Sequence, residues 1–162
     1  MGEMKDRMLR GELYIADDPD LGADVTIRSP FHCDYGAPIA IGAGTFVNYG
    51  CVMLDCAPIT IGSSCQIATC VQLLAATHPV DPVPRRAGWE SAEPITIGDN
   101  VWLGGGVIVC PGVTIGDDTV VGAGAVVIRD LPAGVVAVGN PARVLREIGE
   151  ADRIDVPERP SG

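Results

Sequence analysis

Two histidines are the chain's candidates for acid–base chemistry near neutral pH, and His78 is the stronger of the two. Imidazole has an ordinary pKa near 6.5, so a histidine beside a hydroxyl can take up its proton. His78 lies in residues 75–90, a proline-rich segment that also carries Trp89, one of only two tryptophans. Loops held by a rigid scaffold are favoured places for function. His78 is therefore either a general base or a surface histidine in front of Pro79.

Metal chemistry finds little support in the sequence. A catalytic zinc site commonly takes three histidines, and this chain has only His32 and His78. The six cysteines contain no C-x-x-C pair. Cys51, Cys65 and Cys110 fall at positions where the repeat described below requires small residues. We therefore expect reduced packing cysteines and no metal site.

A repeat of six residues must position these side chains. Between residues 95 and 127 a large aliphatic residue recurs at every sixth position, and the next residue is usually small. This period fits neither a helix nor an ordinary strand, whereas a short fixed period with glycine at one phase indicates a solenoid. With three units per coil, it predicts an all-β fold, a parallel β-helix of triangular section with these residues stacked inside. The stacked aliphatic residues are Ile97, Leu103, Val109, Ile115, Val121 and Val127.

Two polar positions stand out against this repeat. Asn48 directly follows the inward-facing Val47, where small residues are the rule. It either has a functional role or occupies a corner in the left-handed conformation that asparagine tolerates. Asp17 belongs to an acidic turn at residues 16–20, which either caps a helix or holds a substrate hydroxyl.

The repeat also sets the domain organisation. Residues 1–24 predict a short N-terminal helical arm, and residues 25–138 predict the β-helix, with a loop protruding at 75–94. Residues 139–149 predict a C-terminal capping helix, because an open β-helix end exposes strand edges and apolar core. Residues 150–162 predict a disordered tail.

The composition limits the partners of the protein. A net charge of -10 argues against a nucleic-acid surface, since neutralising phosphates requires a basic patch. The sequence shows no secretory signal pattern and no apolar run long enough to span a membrane. We expect a cytoplasmic protein that binds neither nucleic acid nor membrane.

Several motifs occur together between residues 30 and 148: Phe31-His32-Cys33-Asp34-Tyr35-Gly36, Phe46-Val47-Asn48-Tyr49, Thr77-His78-Pro79, PITIGDNVWLG at 94–104, Pro111-Gly112-Val113-Thr114-Ile115-Gly116 and Gly139-Asn140-Pro141-Ala142-Arg143. This part of the chain resembles the maltose and galactoside O-acetyltransferases of the hexapeptide-repeat acyltransferase superfamily. The resemblance implies a left-handed parallel β-helix and a homotrimer. It also implies transfer of acetyl from acetyl-CoA to a hydroxyl, in a cleft between subunits and without a metal.

The resemblance implies roles for matching residues. His78 matches the general base, and Asn48 matches the asparagine that holds the acceptor and stabilises the transition state. An amide or backbone N–H can supply the donor that a tetrahedral oxyanion requires. The positions implied for the coenzyme are Trp102, Gly105 and Ala123, with Arg129, Arg143 and Arg146 for its phosphates. The positions implied for the acceptor are Asp17, Asp34, Asn48, Asp55 and Cys56.

The N-terminal arm departs from the family pattern. The relatives carry a longer helical stretch between the acidic turn and the first coil, whereas here Asp20 runs almost directly into Val25. We expect a more open acceptor pocket, with a sugar preference that is weak or different.

Other function classes remain open at this stage. A γ-type carbonic anhydrase shares the β-helix but requires three histidines. A serine acetyltransferase would have a large N-terminal helical domain. A non-catalytic trimeric scaffold or CoA-binding module, and an acetyltransferase for a xenobiotic or amino acceptor, remain as alternatives.

Overall fold

A computed structural model of the protein describes residues 21–155. The predicted N-terminal helix, with Asp17, and the end of the predicted tail from residue 156 onward lie outside the described residues. Within residues 21–155, no helix is long and apolar enough to cross a membrane.

The described residues fold almost entirely into short strands, as the repeat predicts. In chain order they are β1 (Thr26–Ile27), β2 (Phe31–Cys33), β3 (Ile39–Ile41), β4 (Phe46–Val47), β5 (Cys51–Leu54), β6 (Ile59–Ile61), β7 (Gln66–Ile67), β8 (Gln72–Leu74), β9 (Ala76–Thr77), β10 (Ser91–Ala92), β11 (Ile95–Ile97), β12 (Trp102–Leu103), β13 (Ile108–Val109), β14 (Thr114–Ile115), β15 (Val120–Val121), β16 (Val126–Val127), β17 (Val135–Val138) and β18 (Arg143–Glu147).

Three parallel sheets form the sides of the prism. Face A contains β3, β6, β11 and β14; face B contains β1, β4, β7, β12, β15 and β17; face C contains β2, β5, β8, β13 and β16. The chain passes from face A to B to C in each coil and then begins the next coil, so three corners run along the molecule. We call them the A–B, B–C and C–A corners.

The core consists of the aliphatic residues that the period of six selects. In face A, Ile41, Ile61, Ile97 and Ile115 occupy one register position of successive strands. All six predicted inward residues from Ile97 to Val127 are buried. Cys51 and Cys65 are buried as well, and the six cysteines, all within the described residues, form no disulfide. The predicted parallel β-helix with stacked aliphatic residues is confirmed.

Close packing between coils accounts for the small residue beside each inward aliphatic one. A Cβ placed on Gly104 would lie 2.6 Å from the backbone nitrogen of Ala123 in the next coil. The corners also require left-handed backbone, and Gly106 adopts φ +69° at the B–C corner. Glycine takes this conformation without the steric cost that a Cβ brings.

The segment at 75–94 leaves the prism at the C–A corner. It begins with β9, which pairs with β10 as an antiparallel ribbon, and continues into helix α1 (Pro82–Arg86). The Asp81 carboxylate caps α1 by accepting the Val83 N–H at 2.9 Å. The chain then rejoins face A at β11, in register with β6.

The predicted C-terminal helix at 139–149 is wrong. The chain turns at residues 139–142 and returns as β18, antiparallel to β17. The open edge of β17 has backbone N–H and C=O groups that a helix could not pair with. The segment therefore pairs with this edge as a strand. Residues 150–155, expected in a disordered tail, include a 3-10 turn at Glu150–Asp152.

Candidate active site

Asn48 lies at the B–C corner, directly above the positions that correspond to it in later coils. Its backbone N–H donates to the Ile67 carbonyl at 2.9 Å, and the N–H groups of Ala68 and Gly104 continue the ladder. The Asn48 side chain is half-buried, and its Oδ1 accepts the Tyr49 N–H at 2.8 Å. Oδ1 is thus engaged locally, which fixes the side chain and leaves its amide nitrogen as the donor.

An open cleft of about 180 Å³ lies beside Asn48 on the outer side of face B. Phe46, Gln66 and Trp102 occupy one register column there, in β4, β7 and β12. Trp102 keeps 54% of its surface exposed. A large exposed aromatic surface beside a corner amide suits a ligand with both apolar and polar parts.

The other two predicted backbone positions for the coenzyme continue along the same corner. Gly105 lies in the coil that follows that of Thr69, and its carbonyl accepts the Gly124 N–H at 2.9 Å. Ala123 is exposed in the following coil. The structure therefore brings Asn48, Trp102, Gly105 and Ala123 to one corner, although 75 positions separate the first from the last.

His78 lies at a different corner of the prism. It is exposed and follows β9, so it projects from the C–A corner. Face C separates that corner from the corner of Asn48. Strand β5 of face C has four residues, which span about 13 Å at ~3.3 Å per residue. The two predicted catalytic residues of one chain therefore lie on opposite edges of face C, well beyond hydrogen-bond distance.

Asp34 and Cys56 share the C–A corner with His78. The Cys56 thiol donates to Asp34 Oδ2 at 3.5 Å, and both residues are exposed. Partial desolvation at this corner raises the pKa of the Cys56 thiol, and the hydrogen bond and negative charge of Asp34, followed by the charges of Glu90 and Asp55, raise it further. Glu90 was not among the residues predicted from sequence. Its only signal was its place in the same loop as His78.

Asp55, predicted as an acceptor residue, is instead fully buried. Its Oδ1 accepts the N–H groups of Asp34 at 2.8 Å and Tyr35 at 3.0 Å, and its Oδ2 accepts that of Gly36 at 2.6 Å. The slip in the repeat at residues 54–58 turns this carboxylate inward, against the preceding coil. Sequence spacing could not distinguish this orientation from an outward one.

The three arginines predicted for the coenzyme phosphates do not lie together on one chain. Arg143 pairs with Val138 at the end of face B that meets the B–C corner. Arg146 forms a two-pronged ion pair with Asp152 at 2.6 and 2.7 Å, and this pair lowers the pKa of Asp152 to about 2. Arg129 follows β16 at the C–A corner. Only Arg143 continues the corner that carries Gly105 and Ala123.

The part of the chain that the structure describes contains no candidate metal site. No group of three or more histidine, cysteine, aspartate or glutamate side chains between residues 21 and 155 is placed to hold an ion.

Comparison with known sequences identifies the family. A model of the bacterial transferase hexapeptide, in six repeats, matches residues 94–129. Nodulation protein L of Rhizobium meliloti is 44% identical over 176 residues, covering 86% of this chain and 96% of its own length. Galactoside O-acetyltransferase of Escherichia coli is 42% identical over 133 residues, covering 82% and 66%. The chain belongs to the hexapeptide-repeat acetyltransferases. It is therefore an acetyl-transferring enzyme.

Solved structures of this family match the fold over nearly the whole chain. A maltose O-acetyltransferase from Clostridium difficile is 38% identical, with a TM-score of 0.78 over 91% of this chain and 98% of its own. A hexapeptide-repeat acetyltransferase from Vibrio cholerae, complexed with acetyl coenzyme A, is 34% identical, with a TM-score of 0.79 over 93% and 100%. Membership of the family thus extends from sequence to the three-dimensional arrangement of coils.

The alignment with nodulation protein L runs over 176 residues but takes in 86% of a chain of 162 residues, so it includes gaps on the side of this chain. The shorter N-terminal arm stays a prediction.

Proposed function

We propose that this acetyltransferase transfers acetyl from acetyl-CoA to a hydroxyl of a sugar or related small acceptor, directly and within a homotrimer. The observation that carries the proposal is the distribution of predicted site residues over the two edges of face C. The B–C corner has Asn48 and four of the positions predicted for the donor: Trp102, Gly105, Ala123 and Arg143. The C–A corner has His78, with Asp34 and Cys56 of the positions predicted for the acceptor.

The donor half follows from shape and side-chain size. The B–C corner is narrow because Gly104, Gly105 and Ala123 have little or no side chain, so a thin chain such as pantetheine can approach the backbone. Trp102 offers an exposed ring at one side of this track. Arg143 lies at its far end and can pair with a phosphate.

The reaction requires a base and an oxyanion donor. His78 takes the proton of the acceptor hydroxyl as its oxygen forms a bond to the thioester carbonyl carbon. The resulting negative charge on the carbonyl oxygen accepts a hydrogen bond from the Asn48 amide. Collapse breaks the carbon–sulfur bond, and the sulfur leaves as a thiol with the proton that His78 returns. No enzyme nucleophile is needed, despite six cysteines.

Assembly joins the two halves. A threefold axis places the C–A corner of one subunit beside the B–C corner of the next, so each interface can hold His78 from one chain and Asn48 from its neighbour. The loop at the C–A corner exposes 92% of Val80 and 69% of Trp89. Exposed apolar side chains on a protruding loop are typical of a surface that another protein covers.

The first test is release of free CoA thiol against a panel of sugars and amino sugars, with His78→Ala alongside. We expect at least a hundredfold loss of turnover in this variant, since general bases contribute about 10²–10⁴. CoA binding should be unchanged. Arg86→Ala, exposed on the same loop, is the matched control and should retain turnover.

The competing functions give different results in the same assay. An amino sugar preferred over every sugar that lacks an amino group would indicate N-acetylation instead of O-acetylation. A wild-type protein that binds CoA without turnover of any acceptor would favour a CoA-binding module. Absence of both binding and turnover would favour the scaffold and refute the proposal.

A further inference from the structure

Asp55 is the only buried acidic residue among residues 21–155, and the proposed reaction does not use it. A charged carboxylate without partners would be costly to bury. Here the three N–H groups of Asp34, Tyr35 and Gly36 converge on it at 2.6 to 3.0 Å. Consecutive backbone N–H groups that point to one anion form a nest, which is elsewhere a binding site for phosphates and other anions. In this protein, the anion is a side chain of the next coil.

The nest depends on the backbone conformation of this turn. Gly36 has φ +75°, which turns its N–H towards Asp55 together with those of the two residues before it. Asp55 therefore fixes the turn at residues 34–36 from the inside, through contacts that cross from one coil to another.

The outer side of the same turn faces the C–A corner. Asp34 is exposed there and accepts a hydrogen bond from the Cys56 thiol at 3.5 Å. Tyr35 exposes 69% of its surface. A carboxylate accepts hydrogen bonds from hydroxyls, and an aromatic ring offers an apolar face to a sugar ring. The held turn thus presents two groups that suit a polyhydroxylated acceptor, on the corner that carries His78.

We propose that Asp55 is a positioning residue of the acceptor side, whose buried carboxylate holds Asp34 and Tyr35 in place through the backbone N–H groups of residues 34–36. The role of these residues in acceptor binding rests on the proposed function; the positioning itself does not. Asp55 does not touch the acceptor. It sets the geometry of the groups that do.

Asp55→Asn is the primary variant. Asparagine has nearly the same shape, but its amide nitrogen is a donor and would face one of three N–H donors. Two donors in contact repel, so the turn should loosen without loss of core volume. Gly36→Ala is the second variant: its Cβ would lie 3.6 Å from Cys33 Sγ, so there is room, but φ +75° strains an alanine. Asp99→Asn is the control, since Asp99 accepts a single N–H, from Ser63 at 2.7 Å, at the A–B corner.

The first readout is the rate at which iodoacetamide labels Cys56, measured by peptide mass spectrometry. Exposed Cys70, at the B–C corner, serves as an internal reference in every sample. When Asp34 moves away, the Cys56 pKa falls, and a fall of half a unit raises the thiolate fraction about threefold. We expect a rise of this size in Gly36→Ala and none in Asp99→Asn. Asp55→Asn should label faster as well, but loss of the Asp55 charge lowers the Cys56 pKa by itself, so Gly36→Ala decides this readout.

The second readout is the Michaelis constant for the best acceptor of the sugar panel. We expect KM for that acceptor to rise severalfold while KM for acetyl-CoA stays unchanged, which a general loss of stability would not produce. If Cys56 labelling is unchanged in Gly36→Ala and the acceptor KM is unchanged in both variants, the positioning role is wrong. Faster Cys56 labelling in Gly36→Ala, in a protein whose wild type shows no turnover, would support the positioning and refute the proposed function, so the two failures are distinguishable.

Discussion

The separation of His78 from Asn48 predicts that two inactive chains can restore each other's activity. One chain carries His78→Ala and the other Asn48→Ala. With about 13 Å of face C between the two edges, one chain cannot bring both side chains to a single substrate. In the proposed homotrimer, a site therefore needs intact His78 from one subunit and intact Asn48 from its neighbour.

Threefold symmetry fixes the size of the effect. In any trimer that contains both variant chains, whichever is present twice, only one of the three directed interfaces joins an intact His78 to an intact Asn48. We expect purified mixed trimers to show about one third of the wild-type turnover per trimer. KM for both substrates should equal the wild-type value, because the single restored site is unaltered.

The assay uses the two chains co-expressed with different affinity tags and purified over both. Thiol release from CoA then gives the turnover, and each variant alone provides the background. Two wild-type chains carrying the same tags control for effects of the tags. Mixed trimers with no more activity than the separate variants would refute the assignment of the two residues to different halves of an interface.

Two other changes test the packing and the C-terminal strand. Gly104→Ala should lower the melting temperature, because its Cβ would lie 2.6 Å from the Ala123 nitrogen and overpacking typically costs about 1–3 kcal/mol; Gly149→Ala, which has no atom within 4 Å of its Cβ, should have little effect. Asp152→Asn should speed hydrogen exchange in residues 143–152 at neutral pH, because it removes the ion pair with Arg146. The folded pKa of Asp152, about 2, lies below its ordinary value of 3.8, so this contribution is present above pH 4 and is lost as the pH falls towards 2. Wild type and Asp152→Asn should therefore exchange at similar rates near pH 2, and a difference that persists there would contradict this assignment.

The core of this protein is encoded locally. Each unit of six residues needs only an aliphatic side chain that can stack and a small residue beside it, as at Leu103 and Gly104. Because every coil repeats the same contacts with its neighbours, a pattern read along the sequence also describes the packing between coils. The same regularity made the loop at 75–94 and the unusual Asn48 visible as departures from the period.

Long-range contacts decided what the period could not. The sequence predicts a capping helix at residues 139–149, but the free edge of β17 pairs with residues 143–147 as a strand. The motif places Asp55 in the acceptor pocket, whereas the fold sets three N–H groups of the preceding coil against it. Both outcomes depend on which backbone groups are left unpaired at one place in space, and nearby residues in the sequence do not specify that.

The functional residues follow the same division. Sequence motifs alone selected His78, Asn48 and Trp102 as candidates, because these residues occur in short and distinctive contexts. Their distribution over two corners followed only from the passage of the chain through faces A, B and C, which determines where each strand ends. The sequence thus determined which residues are candidates for the chemistry. The folded prism determined that one chain holds them on opposite edges, where side chains cannot reach across face C.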